Sequence, residues 1–435
     1  MDLKRQFGLW TAVSIIIAQV IGVGIFLVPA GMARSVDSPF WLFVIWISVG
    51  IMSLCGALCY AELGARFPQT GGTFIYLREA FGNGAAFLFG WMVLLVVDPG
   101  LTAIFGVGFA SYFGYLLGVS RDSDLVKYIA VGAVIMVGLI SIVGTRTGPR
   151  FVQTLTAIKL ATLSFIVIYG FASASGDPAN FEPFFRAPKD ISGALAGGLV
   201  GAFFAFAGWW DVARIAGEIK EPERNFPRAM FISISALIVV YVLTSAVFIF
   251  LVPIGNVAND EAFAAMVGEA LFGRIGGQAL SVIVAVSVAG TLFAYIVSSP
   301  RVYYAMARDG LFLKSVGELH PRFGTPVKAT FIQIALASLL ILSGTFSQIL
   351  GYFFFVVILF TVLAVFGLFR IRSSSSGGYK TPFYPLTPIL YIILASVTMF
   401  FIAWGSPRET ITGASVMILG VLVYYFWIRK RLAVQ

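Results

Sequence analysis

Gly22-Val23-Gly24 interrupts an apolar stretch that could otherwise cross a membrane as one helix. Unwinding a helix in hydrocarbon frees backbone N–H and C=O groups, which are tolerated only where protein, water or a ligand satisfies them. A helix resuming near Val23 presents free N–H groups and the positive end of its dipole, which suits a carboxylate. The helix ending near Val20 and Ile21 presents free carbonyls, which suit an ammonium group. A second interruption, Ala207-Gly208 followed by Trp209-Trp210, would add carbonyls around Phe204, Ala205 and Ala207. Two such breaks facing each other could hold both charges of an amino acid without a charged side chain.

Lys159, Asp98, Asp211 and Arg214 fall well inside apolar stretches, and Glu62 lies near the end of one. Lys159 lies about eight residues, or about 12 Å, from the nearer end of its stretch, beyond comfortable snorkelling reach. An ammonium at that depth marks a functional residue. Asp98, just before Pro99, admits three roles. A buried unpaired carboxylate can carry a proton; it can also bind a cationic side chain, or serve structure by capping a donor or pairing with Lys159. Asp211 and Arg214, three residues apart, are expected to pair on one helix face, as are Glu62 and Arg66, four apart. Trp41, Trp46, Trp91 and Trp404 are expected as interfacial anchors or packing. Cys55 and Cys59, one turn apart in an apolar stretch, are expected to pack, and His320 stands alone in a polar loop. A metal site, a catalytic triad and a bound cofactor therefore lack material.

The elements that must position these residues follow from composition. Of 435 residues, 59% are hydrophobic and 11% charged, against about 25% charged in a soluble domain. About twelve apolar blocks are expected as spans, at 8–35, 39–64, 83–118, 126–144, 152–173, 191–218, 228–253, 275–306, 327–343, 345–370, 385–404 and 409–429. Lys4 and Arg5 lead into a stretch too long for a signal-peptide core, so the first helix is expected to be retained. With the N-terminus cytoplasmic, twenty Lys and Arg lie on the inside and seven outside, leaving Lys159 and Arg214 within spans. Positive-inside thus puts both termini in the cytoplasm of a plasma (inner) membrane and accounts for the net charge of +9 without nucleic acid.

The two breaks fall in spans 1 and 6. A unit of five helices that starts inside is followed by one that starts outside, so the halves are expected to be inverted repeats with a site between their broken helices. The fold class expected is an all-α polytopic membrane protein of twelve helices. It divides into a first repeat at 1–180, a second at 181–378, and two C-terminal helices at 379–435. Glycine in membrane helices also serves close packing; its matched occurrence in two halves favours the binding reading.

The same residues carry a resemblance. Ile21-Gly22-Val23-Gly24-Ile25-Phe26 resembles the Gly-Ser-Gly-Ile-Phe signature of the amino acid–polyamine–organocation (APC) transporters. The likeness continues through Cys59-Tyr60-Ala61-Glu62-Leu63-Gly64, Phe204-Ala205-Phe206-Ala207-Gly208-Trp209, Glu221-Pro222-Glu223-Arg224-Asn225-Phe226-Pro227 and Ala307-Arg308-Asp309-Gly310. It is closest to the L-amino acid transporter (LAT) branch. That resemblance implies a carboxylate on the amides of Val23, Gly24 and Ile25, and an ammonium on carbonyls of Val20, Ile21, Phe204 and Ala207. It also implies Phe204 as a gate, and Lys159 standing where sodium-coupled relatives bind a cation, tying spans 1, 5 and 8. Val23 replaces the family's frequent serine. Trp210 replaces a polar residue near the substrate side chain, which is expected to narrow and dry the pocket for a small or medium apolar substrate, with selectivity left to side chains such as Trp209, Trp210 and Asp98.

The expected activity is sodium-independent exchange of small to medium neutral L-amino acids. Proton-coupled uptake or cationic amino acid transport through Asp98, and a channel or an amino acid sensor, are the alternatives. Besides substrate and lipid, no partner is expected. The loop Gly118-Val119-Ser120-Arg121-Asp122-Ser123-Asp124 lacks the cysteine through which LAT proteins attach a glycoprotein heavy chain, so a self-sufficient subunit is expected.

Overall fold

A computed structural model describes residues 5, 7–22, 24–120, 123–143, 149–188, 190–254, 263–321, 325–344, 346–372 and 378–429. Val23, Arg121 and the charged residues Lys4, Arg146, Lys189, Arg322, Lys430 and Arg431 lie outside the described residues. Among those described, the elements are helical, with one isolated parallel bridge between Phe7 and Ile219.

The first span is a bent pair, α1 (Leu9–Val20) and α2 (Gly24–Val36), whose axes differ by 44°. α3 (Pro39–Arg66) leads to the short α4 (Thr73–Phe81). Next come α5 (Asn83–Met92), a π-helical turn (Val93–Val97) and α6 (Asp98–Leu116), which run on as one rod. α7 (Asp124–Val143) and α8 (Pro149–Ala172) complete the first half. α9 (Ile191–Phe206) breaks at Ala207-Gly208 and resumes as a 3-10 helix (Trp209–Glu218). There follow α10 (Pro222–Leu251), α11 (Phe263–Ser298), α12 (Pro300–Arg308), α13 (Val327–Ser343), α14 (Phe346–Arg372), α15 (Leu386–Gly405) and α16 (Pro407–Val423).

Proline opens α3, α10, α12 and α16, where its missing N–H costs no hydrogen bond and its fixed φ suits the first turn. Asp190 caps α9 by accepting from the Ser192 N–H at 3.0 Å. The π turn has a cause in Pro99, which cannot donate within the rod, so the ladder widens just before it, with the Asp98 N–H reaching Val93 O.

Among the described residues, ten helical stretches are long and apolar enough to cross a membrane, and the α1–α2 pair makes an eleventh. The expected span 327–343 is α13, which at 17 residues is short for a core of about 30 Å. Ile168, Leu339 and Phe426 stand well exposed on the perimeter, as hydrocarbon solvent permits. Helices five apart in the expected order pack together: α2 on α9, α3 on α10, α6 on α11 and α7 on α13.

The span expected at 275–306 lies within one apolar run, Ala264–Arg308. A short helical stretch from Phe263 precedes it and ends in a kink at Phe272 and Gly273, where Gly273 takes a φ of +64°, and Ser299 keeps helical angles between α11 and α12. α4 was not among the expected elements. It carries Arg78 and Glu79 on a short amphipathic turn too polar to register as a span, and Arg78 is bonded to Asp309 beyond α12. The tryptophans divide: Trp46 is fully buried against Phe206 and Tyr241, whereas Trp404 is 69% exposed.

Candidate functional site

The first break is described at Ile21 and Gly22, between the end of α1 and the start of α2. The Ile21 N–H still reaches Ile17 O at 2.8 Å, but the Gly22 N–H turns back to Val20 O at 2.7 Å, ending the ladder. Helix resumes at Gly24, so the N–H groups of Gly24 and the buried Ile25 lie in the first turn of α2, where no preceding turn supplies acceptors. Gly24 is also a crossing point: a Cβ there would stand 2.7 Å from the Ala205 Cα. The packing reading and the break reading of this glycine therefore both hold, because α2 touches α9 where each span is interrupted.

The second break has a different construction. The Ala207 N–H closes on Phe204 O at 3.0 Å, Ala207 is extended, and Gly208 takes a φ of +106°. A Cβ on Gly208 would also meet Gln19 O at 3.2 Å. Gly208→Ala is expected to cost at least about 1–2 kcal/mol from the left-handed conformation alone. A thermal unfolding midpoint of the detergent-purified variant equal to that of the unaltered protein would contradict this account.

Between the breaks lies a tight crevice of about 10 Å³, room for about one water and well below the roughly 300–1,000 Å³ typical of open ligand pockets. Val20, Gly22, Gly24, Phe204, Ala207 and Gly208 line it from the broken spans. Leu101 and Phe105 of α6 and Thr291 and Tyr295 of α11 close it from the side. Phe204 is buried and meets Phe354 edge-on, with ring centres 6.0 Å apart.

Trp209 and Trp210 are not among the residues lining this crevice, contrary to expectation. After Gly208 the chain continues with about three residues per turn, so neighbouring side chains diverge by about 120°. Trp209 packs on Tyr60 of α3 and Tyr391 of α15. Trp210 stacks on Phe203 and lines a separate crevice against Val93 and Phe360. It is Asp211 that faces the space between the breaks, so the pocket is not made dry and apolar by this pair.

Several carbonyls of the breaks already have partners. The Lys159 Nζ donates to Ile21 O at 2.7 Å, Ala18 O at 3.2 Å and Thr291 Oγ1 at 2.6 Å, joining α8, the end of α1 and α11. The Tyr241 hydroxyl of α10 lies 2.9 Å from Ala205 O and 3.2 Å from Val20 O. Ile21 thus holds Lys159 in this structure. Tyr241 and Thr291 escaped the sequence reading because a single tyrosine or threonine in an apolar helix carries no positional signal.

Asp98 does not pair with Lys159. It receives the Arg214 guanidinium at 3.2 and 3.1 Å, the Tyr295 hydroxyl at 2.7 Å and the Tyr303 hydroxyl. Arg214 also bonds Asp211 at 2.9 Å, the expected pair. A buried cluster of two acids, one arginine and two phenols therefore links α6, the 3-10 helix, α11 and α12. Arg66 meets Glu62 at 2.7 Å, and the other Glu62 oxygen accepts the Thr381 N–H at 2.7 Å.

The chain matches the family model of amino acid permeases over residues 7–427. It is similar to the serine/threonine exchanger SteT of Bacillus subtilis, 34% identical, with 99% of this chain and 98% of the relative covered. It is 29% identical to the human large neutral amino acids transporter small subunit 2, covering 98% and 82%. The human cystine/glutamate transporter is 28% identical, covering 98% and 86%.

Proposed function

This chain belongs to the amino acid permease family, and from that premise we propose that it exchanges small to medium neutral L-amino acids across the membrane by alternating access, without sodium. Membership makes it a transporter of amino acids and not an enzyme. The observation that carries the finer reading is the meeting of two helix breaks on one small crevice. In this reading the amides of Val23, Gly24 and Ile25 take the carboxylate. The carbonyls of Val20, Ile21, Phe204 and Ala207 take the ammonium, the first three through the lone pairs left by the Gly22 N–H, Lys159 and the Ala207 N–H, with the Tyr241 proton given to Ala205 O, and Phe204 gates the site.

Lys159 takes the part of a fixed cation. Its ammonium bonds to the broken end of α1 and to α11, so the two are held without a metal ion, and sodium has no role. Exchange is supported by similarity to a serine/threonine exchanger. The 5+5 inverted repeat with two added helices is supported by the packing of helices five apart. The excess of Lys and Arg in alternate loops supports a plasma membrane orientation with both termini cytoplasmic. With no cysteine in the loop after α6, no disulfide-linked heavy chain is required.

The test is release of radiolabelled amino acid from preloaded proteoliposomes holding the purified chain, with each external amino acid in turn. Trans-stimulation by neutral amino acids, unchanged when choline replaces sodium, is expected. Release independent of external substrate would overturn exchange, and stimulation by sodium would overturn the role given to Lys159.

A further inference from the structure

Two oxygens lining the crevice have no hydrogen-bond partner among the described residues. Asp211 is 3% exposed and Gln19 is 8% exposed, and both line the space between the breaks. Asp211 Oδ1 is committed to Arg214, but Asp211 Oδ2 accepts no hydrogen bond among the described residues, and neither does Gln19 Oε1. Leaving a buried acceptor unsatisfied costs about 1–3 kcal/mol, and more for a charged group. Native structures rarely carry such a cost twice in one cavity unless something else supplies the donor.

We infer that Asp211 and Gln19 are specificity-determining residues that accept a hydrogen bond from the substrate side chain, selecting small amino acids that carry a donor, serine and threonine above all. The inference rests on amino acid exchange at the paired breaks. The common end of an amino acid is met by backbone, which leaves these two side-chain acceptors for the variable end. The crevice is tight, with apolar walls at Leu101 and Phe105, and the Thr291 and Tyr295 hydroxyls beside them are engaged with Lys159 and Asp98, which favours a short side chain with one polar atom. Asp211 already shares Arg214 with Asp98, so the acceptor is held rigidly rather than free to follow a long cationic chain. A site built to bond a hydroxyl rejects the isostere that lacks one far more strongly than an apolar pocket rejects the hydroxyl.

The experiment compares threonine with valine, and serine with alanine, as external substrates driving release of labelled serine from proteoliposomes of the full chain. For the unaltered protein the threonine-to-valine ratio of kcat/KM is expected to be about tenfold or more. In Asp211→Asn and in Gln19→Met that ratio is expected to fall at least about fivefold, a change of about 1 kcal/mol. A ratio near one in the unaltered protein overturns the inference while leaving exchange intact. Variants that depress all four substrates in proportion also overturn it, since they would place Asp211 and Gln19 on the ammonium instead. Gln19 enters no ion pair among those described, so Gln19→Met and the unaltered ratio decide the matter if Asp211→Asn fails to fold. No exchange of any amino acid would instead remove the functional reading on which the inference stands.

Discussion

Lys159→Ala is expected to lower amino acid exchange by about 100-fold, equivalent to about 2.7 kcal/mol. Its ammonium donates to two backbone carbonyls and one hydroxyl, and a hydrogen bond from a charged donor contributes about 1.5–3 kcal/mol. The Ala18 and Ile21 carbonyls sit at the end of α1, where no following turn can take them over. Thr291 lies within reach of Ala18 O at 3.4 Å and can replace one of these bonds but not both. Deletion therefore frees the broken end of α1 from α8 and α11 and blurs the geometry on which the clamp depends. Lys159→Gln, which keeps a donor but no charge, should retain an intermediate rate. Rates within a few-fold of the unaltered protein for Lys159→Ala would show that the contact is incidental. Substrate-induced thermal stabilisation, measured on the same preparation, separates a lost site from a lost fold.

The second large effect is on stability. Asp98→Ala is expected to destabilise the protein by about 3–5 kcal/mol, the usual consequence of removing one partner from a buried ion pair. Arg214 is only 2% exposed and would keep Asp211 alone, while Tyr295 and Tyr303 would both lose their acceptor. A clear fall in the unfolding midpoint and in the monodisperse fraction on size exclusion is the expected readout. Asp98→Asn should fall less, because its amide oxygen can still accept. An undiminished midpoint for Asp98→Ala would rule out the anchoring role. If the carboxylate were a proton carrier instead, Asp98→Asn would abolish the pH dependence of transport while exchange persisted; the cluster geometry leads us to expect the pH dependence unchanged.

The contrast between Lys159 and Asp98 shows how far a sequence reaches. Both are single charges in apolar stretches, and the cost of burying a charge marks each as a position that must have a partner. The partner itself is not local information. Lys159 finds carbonyls 138 and 141 residues away, and Asp98 finds an arginine 116 residues away. For Asp98 the sequence left three roles open, and its suggestion of Lys159 as a structural partner was overtaken by Arg214 of the 3-10 helix. The pair Asp211 and Arg214 was legible because three residues is a local spacing. The place of Trp210, expected to dry the pocket, was not, because the direction of its side chain depends on the left-handed turn at Gly208 and the tight 3-10 helix after it.

The sequence by itself determined that the chain is helical and spans a membrane, which spans are broken, and which backbone groups the first break frees. Apolar run length, glycine position and charge count are properties of contiguous residues, and the bilayer turns them directly into structure. Tertiary structure alone decided which carbonyls are already engaged, which charges meet, and which side chains face the crevice. Those outcomes depend on contacts between helices distant in the chain, where a rotation by one residue exchanges a tryptophan for an aspartate in the wall of the site.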